Sequence, residues 1–174
     1  SGRAGHAGGT GFLMGRLRVG EAMTPPLLRA VKARLPQSGD GGRDVILDAP
    51  PGVSCPAVNA VRDADVVVLV AEPTPFGLHD LRLAVEAFRP LGMTLGVALN
   101  RAGMGDDGVA EFCREQGLPV WAEIPFSRRA AEAYARGEVL AEALPELRPV
   151  FLALAERIRE AAQGPAEAGE ARHA

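Results

Sequence analysis

The sequence is short of several kinds of residue, and each shortage excludes a class of protein. Aromatic residues make up 5% of its 174 residues, and its two cysteines, Cys55 and Cys113, stand far apart. Neither belongs to a CxxC pair or a Cys/His cluster, which argues against a disulfide scaffold and against a self-contained zinc site. This cysteine usage is typical of a protein from a reducing compartment.

Long apolar runs and excess basic charge are also missing. No run approaches the roughly 20 apolar residues that span a bilayer, and the N-terminus has no apolar signal core. The net charge is -3, so the chain offers no basic field to phosphates of nucleic acid or to an anionic membrane. We therefore expect a cytoplasmic protein whose partners are neither nucleic acids nor membranes.

Aliphatic residues dominate what is present, and their pattern predicts the fold. Short aliphatic runs alternate with segments of helical period, which is typical of a parallel sheet covered by helices. The fold class is therefore α/β, a three-layer α/β/α domain with a mainly parallel sheet. The predicted strands are residues 12–19, 44–48, 66–71, 94–100 and 120–124. The predicted helices start near 25, 56, 76, 108, 127 and 146. We predict a flexible lead-in over 1–10, the domain over 11–162 and a flexible tail over 163–174.

The segment DVILDAPPG carries the first candidate site. An aliphatic strand would deliver Asp48 to the ligand edge of the sheet, where its carboxylate can hold a magnesium-bound water. Gly52 closes the following turn, and without a Cβ its backbone N–H can approach a γ-phosphate. An ordinary strand-end aspartate before a proline turn would give the same pattern.

A second candidate site lies at the ends of the later strands. Asn100 ends the fourth predicted strand, and its amide offers the donor and acceptor that a purine edge requires. Pro125 follows the fifth strand and would form a rigid wall beside such a base. Both residue types are also common turn formers, so each position taken alone has a structural explanation.

The order and spacing of these segments resemble the C-terminal portion of the MinD/ParA/Mrp ATPases, which are grouped with the CobQ/CobB amidotransferases in the SIMIBI class of P-loop NTPases. The resemblance covers about residues 11–160 and is carried by DVILDAPPGVSCPAVNAVRDADVVVLVAEPTPFGLHDL, ALNRAG and EIPFSRRAAEAYARGE. It is closest to the branch with an inserted ferredoxin-type iron–sulfur domain, because RLRVGEAMTPPLLRAVK resembles the segment that follows that insert.

The resemblance implies a role for each candidate residue. Asp48 takes the Walker B position and holds Mg²⁺ through water, and Gly52 takes the switch II position, so these two are the catalytic candidates. Asn100 and Pro125 would contact the adenine of ATP or ADP. The family commonly has aspartate where this sequence has Ser127. The intact protein is expected to form an ATP-sandwich homodimer and to serve iron–sulfur or electron-transfer chemistry with a redox partner protein, the clusters lying outside this chain.

The phosphate-binding loop of the family does not occur in this sequence. That loop needs a GK[ST] signature ahead of a helix, whereas the glycine-rich GHAGGTGF has no lysine and precedes a strand. We therefore expect a nucleotide-binding fold that lacks the P-loop strand, cut from a longer polypeptide. Alone it should neither hydrolyse ATP nor bind it tightly, because the phosphate cradle supplies most of the binding.

Two other functions share this scaffold. One is a non-catalytic interaction module that kept the fold and lost the P-loop. The other is an ATP-dependent amidotransferase of the cobyrinic acid a,c-diamide synthase type, which would need a glutaminase domain after residue 162.

Cys55 has an ambiguous position. It stands at the offset from Asp48 at which the related nitrogenase iron protein carries a cysteine that bridges an iron–sulfur cluster between subunits. The second bridging cysteine would fall near Gly20, where there is none, and one thiolate per subunit cannot complete a four-sulfur shell. We predict that Cys55 is a buried structural thiol at the start of the helix after the switch II turn, and that Cys113 lies in the core.

Overall fold

A computed structural model of the protein describes residues 2–7, 10–15, 33 and 44–164. The chain divides into two compact units, Ser1–Asp63 and Ala64–Ala174, and each is described by itself. The predicted helix near residue 25 lies outside the described residues, apart from Ala33.

The first unit contains a hairpin and a short helix. Strands β1 (Gly2–Ala7) and β2 (Thr10–Gly15) pair antiparallel. The strand predicted at 12–19 therefore overlaps β2. The partner of β2 is the antiparallel β1, whereas a parallel partner was expected. Strand β1 lies within the predicted lead-in, residues 1–10. Helix α1 (Cys55–Val61) has a proline in its first turn, where the missing N–H costs no hydrogen bond. Its buried residues are Ala57, Ala60 and Val61.

The strand predicted at 44–48 does not form. Residues 44–50 belong to no strand, and Ile46 is 93% exposed. An aliphatic run becomes a strand only when its backbone groups pair with a neighbouring strand, and none of the described strands pairs with this segment. The run therefore has the composition of a central strand without the pairing that would make it one.

The second unit is built on three parallel strands in the order β3-β4-β5. These are β3 (Val66–Ala71), β4 (Thr94–Ala102) and β5 (Val120–Pro125). Helix α2 (Pro75–Phe88) connects β3 to β4, and α3 (Gly108–Glu115) connects β4 to β5. The predicted α/β class and the last three predicted strands are confirmed for this unit.

The core of this unit lies around the middle strand. Five consecutive residues of β4, from Leu95 to Leu99, are buried, as in a strand whose two faces are both covered. Helix α2 packs against β3 and α3, and the C-terminal helix packs against β5. Cys113 on α3 is 1% exposed, so the prediction that it belongs to the core is confirmed.

Helices follow β5 to the end of the described chain. They are α4 (Arg128–Ala135), α5 (Leu140–Ala143) and α6 (Arg148–Ala162), with a 3-10 turn at Pro145–Leu147. The sequence pattern predicted α4 and α6 but not α5, which is a single turn. Ala133, Leu144 and Leu147 form a small buried cluster here. None of the helices in the described ranges is long and apolar enough to cross a membrane.

Two irregularities interrupt the pairing of β4 with β5. Val97 pairs with Val120 and Ala98 with Ala122, so Trp121 is an extra residue on β5. The Trp121 ring occupies the space where a side chain on Gly96 would lie, which explains a glycine in a buried strand. Further along, Asn100 pairs with Ile124 and Ala102 with Pro125, so Arg101 is an extra residue on β4.

The structure corrects the prediction for Cys55, which is exposed rather than buried. Cys55 is the first residue of α1, and the positions of that helix that are buried begin at Ala57. The predicted location at the start of a helix is confirmed. Burial raises the pKa of the other thiol, Cys113, which disfavours its reactive thiolate form.

Thiol labelling should distinguish the two cysteines. With a maleimide under native conditions, we expect one modification per chain, at Cys55, because Cys113 is buried and mostly protonated. Cys113 should react only after unfolding. Peptide mass spectrometry locates the label, and Cys55→Ser should abolish native labelling. Native labelling of Cys113 at a rate similar to that of Cys55 would contradict this assignment.

Candidate functional site at the carboxyl edge of the sheet

The carboxyl ends of the three parallel strands meet at one edge of the second unit. Ala71 at the end of β3 pairs with Leu99 on β4, and Ala102 at the end of β4 pairs with Pro125 on β5. Ligands of open parallel sheets bind outside this edge, because the loops that leave the strands converge there. A ligand site is therefore expected at this edge.

Asn100 and Pro125 lie together at this edge. Asn100 pairs with Ile124, the residue immediately before Pro125, so the two candidates occupy adjacent positions on neighbouring strands. Asn100 is half-buried and Pro125 is exposed. We expected Asn100, Pro125 and Asp48 to share one sheet edge. Asn100 and Pro125 do share an edge, but the strand that was to bring Asp48 there does not form. The binding roles of all three residues remain predictions.

The other two candidates belong to the first unit. Asp48 is exposed, in the segment that forms no strand. Gly52 has φ 77°, a backbone conformation that glycine adopts without strain. Among the described residues, none beyond its chain neighbours comes within 4 Å of where its Cβ would be. The turn that the sequence predicted at Gly52 thus has a physical need for glycine. Their assigned Walker B and switch II roles remain predictions.

An ion pair lies beside Asn100. Arg101 Nε is 3.3 Å from Glu72 Oε1, and Arg101 Nη1 donates to Glu72 Oε2 at 3.4 Å. Glu72 directly follows β3, so the pair joins the ends of β3 and β4. The two side chains are 55% and 39% exposed, so the pair is partly screened by water and is worth little as a stabilising contact.

Arg101 also has an unusual backbone. Its φ is 56°, the one positive value at a non-glycine residue in the described ranges. This left-handed conformation costs an arginine about 1–2 kcal/mol, and such outliers concentrate at functional sites. Arg101 is the extra residue of the β4 bulge, and Met104 N–H donates to its carbonyl at 3.2 Å.

The loops that leave the strands are tied to one another. Gly105 lies so close to the Pro73 carbonyl that a Cβ could not fit between them, and Gly77 approaches the Glu72 carbonyl in the same way. Thr74 caps α2 by accepting a hydrogen bond from Gly77 N–H at 3.0 Å. These contacts fix the exits of β3 and β4 against each other, so the edge is preformed.

The exit of β5 is connected to the same rim. Phe126 N–H donates to the Ala102 carbonyl at 3.2 Å. Ser127 caps α4, its hydroxyl accepting from Ala130 N–H at 3.2 Å. Serine therefore supplies here the capping oxygen that an aspartate would also supply at this position.

Apolar side chains surround this edge. Phe76 in the first turn of α2 is 84% exposed, and Met104 and Phe126 in the exits of β4 and β5 are about half exposed. Large exposed apolar groups near a preformed edge are typical of a surface that receives a ligand or a partner.

Neither Arg101 nor Glu72 was singled out from the sequence. The available signal was the arginine directly after Asn100, at the end of an aliphatic strand and two residues before Gly103. A cation placed there, with a glutamate that directly follows the preceding strand, indicates an ion pair across the edge. The positive φ of Arg101 had no sequence signal.

The residues present fit the implied groups to different degrees. Mg²⁺ in nucleotide sites is held by one or two carboxylates together with water and phosphate oxygens, so Asp48 alone could hold it through water. No group of three metal-binding side chains occurs in the described ranges. An iron–sulfur cluster does not fit, because it needs four thiolates and the chain has two cysteines, one of them in the core.

Comparison with known proteins yields two relatives in Methanocaldococcus jannaschii. The chain is 32% identical over 93 residues to "Uncharacterized protein MJ0579", which corresponds to 53% of this chain and 31% of that protein. It is 28% identical over 104 residues to "Uncharacterized protein MJ0578", covering 58% of this chain and 37% of that protein. The chain thus spans about a third of the length of each of these relatives. No family profile matches it.

Proposed function

We propose that the chain is the C-terminal part of a nucleotide-binding domain of the MinD/ParA type, in which the carboxyl edge of β4 and β5 holds the adenine of ATP. The observation that carries this proposal is the adjacent placement of Asn100 and Pro125 at that edge. Both positions were assigned to the base from the sequence alone, and the fold could have separated them.

The chemistry of the two residues suits adenine. The Asn100 amide can donate to a ring nitrogen and accept from the exocyclic amino group at once. Pro125 presents a rigid apolar surface, and the exposed Phe126 beside it adds aromatic area for stacking. One edge of β4 and β5 would therefore supply both the polar and the apolar part of a base site.

The phosphate side of the proposed function rests on Asp48 and Gly52. Asp48 would hold Mg²⁺ through water, and Gly52 would offer its N–H to the γ-phosphate. Hydrolysis also needs the backbone cradle and the lysine that this sequence lacks, so the intact protein is the proposed ATPase. The intact protein would form a homodimer. It would serve a separate iron–sulfur or redox partner protein.

Titration with AMP tests the base site directly. We expect AMP to bind the 174-residue chain weakly, at millimolar concentration, and to shift the NMR signals of the Asn100 side-chain amide and of the Phe126 backbone. Asn100→Ala removes both hydrogen bonds to the base and should weaken binding by about tenfold, since two such bonds contribute about 1–3 kcal/mol together. Gln163→Ala removes an exposed amide at the end of α6 and is the matched control.

Two results would contradict the base site. One is the absence of any shift at this edge, and the other is equal AMP affinity for the wild-type chain and Asn100→Ala. Micromolar ATP binding with turnover that depends on Asp48 would instead show that the phosphate cradle is supplied by residues assigned no such role.

A second candidate is a non-catalytic interaction module. The exposed Phe76, Met104 and Phe126 favour it, because a preformed edge with apolar groups also suits a protein surface. It becomes the better explanation if AMP and ATP leave the signals of this edge unchanged.

A further inference from the structure

We propose that Arg101 determines the base specificity of this site, selecting adenine over guanine by occupying the carboxylate of Glu72. The inference rests on the proposed purine site at Asn100 and adds to it a residue that would act on the choice of base.

The placement of Glu72 puts a carboxylate next to the base-contacting position. Glu72 follows Ala71, whose partner across the sheet is Leu99, so Glu72 and Asn100 are neighbours at the edge. Pro125 stands on the other side of Asn100, at the end of β5. A base at Asn100 would thus lie between the end of β3 and the end of β5.

A free carboxylate in that position would favour guanine. Guanine presents an N1–H and a 2-amino group side by side, and both can donate to the two oxygens of one carboxylate. Adenine has an unprotonated N1, an acceptor that a carboxylate repels. An unpaired Glu72 carboxylate would therefore select guanine, whereas the proposed function uses adenine.

Arg101 makes the Glu72 carboxylate unavailable to guanine. Its Nη1 donates a hydrogen bond to Glu72 Oε2 at 3.4 Å, and its Nε lies 3.3 Å from Glu72 Oε1, so the guanidinium lies against the carboxylate. The pair carries no net charge, and it leaves Asn100 as the polar group that reads the base. An arginine suits this contact better than a lysine would, because a lysine ammonium offers only a point charge and the guanidinium extends along the carboxylate.

The backbone of Arg101 supports a functional explanation. As the extra residue of the bulge it is left out of the β4–β5 pairing, which frees its side chain to reach toward β3. Its φ of 56° is a strained choice for arginine, whereas glycine would fit the same turn without strain. A non-glycine side chain at this position is therefore explained by what the guanidinium contacts.

Nucleotide preference in the variant Arg101→Gly tests the proposal. Glycine accepts the positive φ, so the bulge is kept while Glu72 is released. Compared by NMR titration with AMP and GMP, the wild-type chain should prefer AMP. Arg101→Gly should shift the GMP-to-AMP affinity ratio toward GMP by about fivefold or more, since a carboxylate acceptor makes stronger hydrogen bonds than a neutral one.

Further variants separate specificity from structure. The double variant Glu72→Gln with Arg101→Gly should restore the preference for AMP, because the freed carboxylate is gone. Arg101→Asn, which also tolerates the left-handed conformation, replaces Arg101→Gly if the latter does not fold. Arg128→Ala removes an exposed arginine paired with Glu132 on α4 and should leave the ratio unchanged.

The outcomes are distinct. If the wild-type chain binds AMP and Arg101→Gly keeps the same ratio, or weakens both nucleotides equally, the specificity role of Arg101 is wrong and the base site stands. If the wild-type chain binds neither nucleotide, the base site itself is wrong and the inference falls with it. If the GMP-to-AMP affinity ratio rises in Arg101→Gly and returns to the wild-type value in the double variant, both the base site and the specificity role of Arg101 are supported.

Discussion

Replacing Gly105 with alanine is expected to destabilise the second unit by about 2 kcal/mol or more and to reduce AMP binding below detection. The new Cβ would overlap the Pro73 carbonyl, which belongs to rigid backbone and cannot rotate away. The exits of β3 and β4 must then separate. Because Glu72 and Arg101 stand on those two exits, the ion pair beside Asn100 should break as well.

Gly103→Ala is the matched control for Gly105→Ala. Gly103 lies in the same loop and has open space around its missing Cβ, but its φ of 87° makes alanine strained. It should cost about 1–2 kcal/mol through backbone strain alone, without moving the Glu72 and Pro73 backbone signals. Urea denaturation and NMR measure the two effects. Equal losses and equal shifts in both variants would show that the contact between Gly105 and Pro73 does not matter.

Replacing Gly96 with valine is expected to lower the free energy of unfolding by about 2–3 kcal/mol, at the upper end of overpacking costs. The added side chain would enter the space of the Trp121 ring, which is 9% exposed. Trp121 is the chain's single tryptophan, so its fluorescence reports the unfolding of this unit.

A second substitution, at Trp121, tests whether the loss in Gly96→Val comes from overlap with the Trp121 ring. Trp121→Leu alone should also destabilise, because it leaves a cavity beside Gly96. Combined with Gly96→Val, the smaller leucine leaves room for the valine, so the double variant should lose clearly less than the sum of the two single losses. Circular dichroism follows unfolding in the variants without tryptophan. Strict additivity would mean that the two residues do not share this space.

The parts of the fold that the sequence predicted well are those determined by local composition. The run VVVLVA and the segment that follows Gly92 are aliphatic enough for buried strands, and both form. Helix α2 was predicted from its apolar period and begins at Pro75 after a threonine cap. Here local propensity and tertiary packing favour the same structure.

The incorrect predictions concern features that depend on a neighbour. Residues 44–48 have strand composition, but a strand also needs a pairing partner that composition cannot reveal. Cys55 was predicted to be a buried structural thiol because a lone thiolate cannot hold a cluster, whereas its exposure depends on which side of α1 is covered. The bulge at Arg101 depends on the offset between β4 and β5, which no local pattern encodes.

For the site, sequence reasoning placed single residues more reliably than it placed interactions. Asn100 and Pro125 could be predicted at one edge because Asn100 ends a predicted strand, Pro125 directly follows another, and parallel strands end on one side. The contact between Glu72 and Arg101 joins residues from two strand ends, so it required the register of β3 against β4.

The two extra residues in the sheet also constrain the length of the chain. Each shifts the alternation of side chains by one residue, and because Trp121 lies on β5 and Arg101 on β4, the second shift cancels the first. Deleting either residue alone would put the two strands out of step at the carboxyl edge, whereas deleting both would restore their alignment. Natural relatives should therefore tolerate substitutions at these positions far more readily than single-residue insertions or deletions between them.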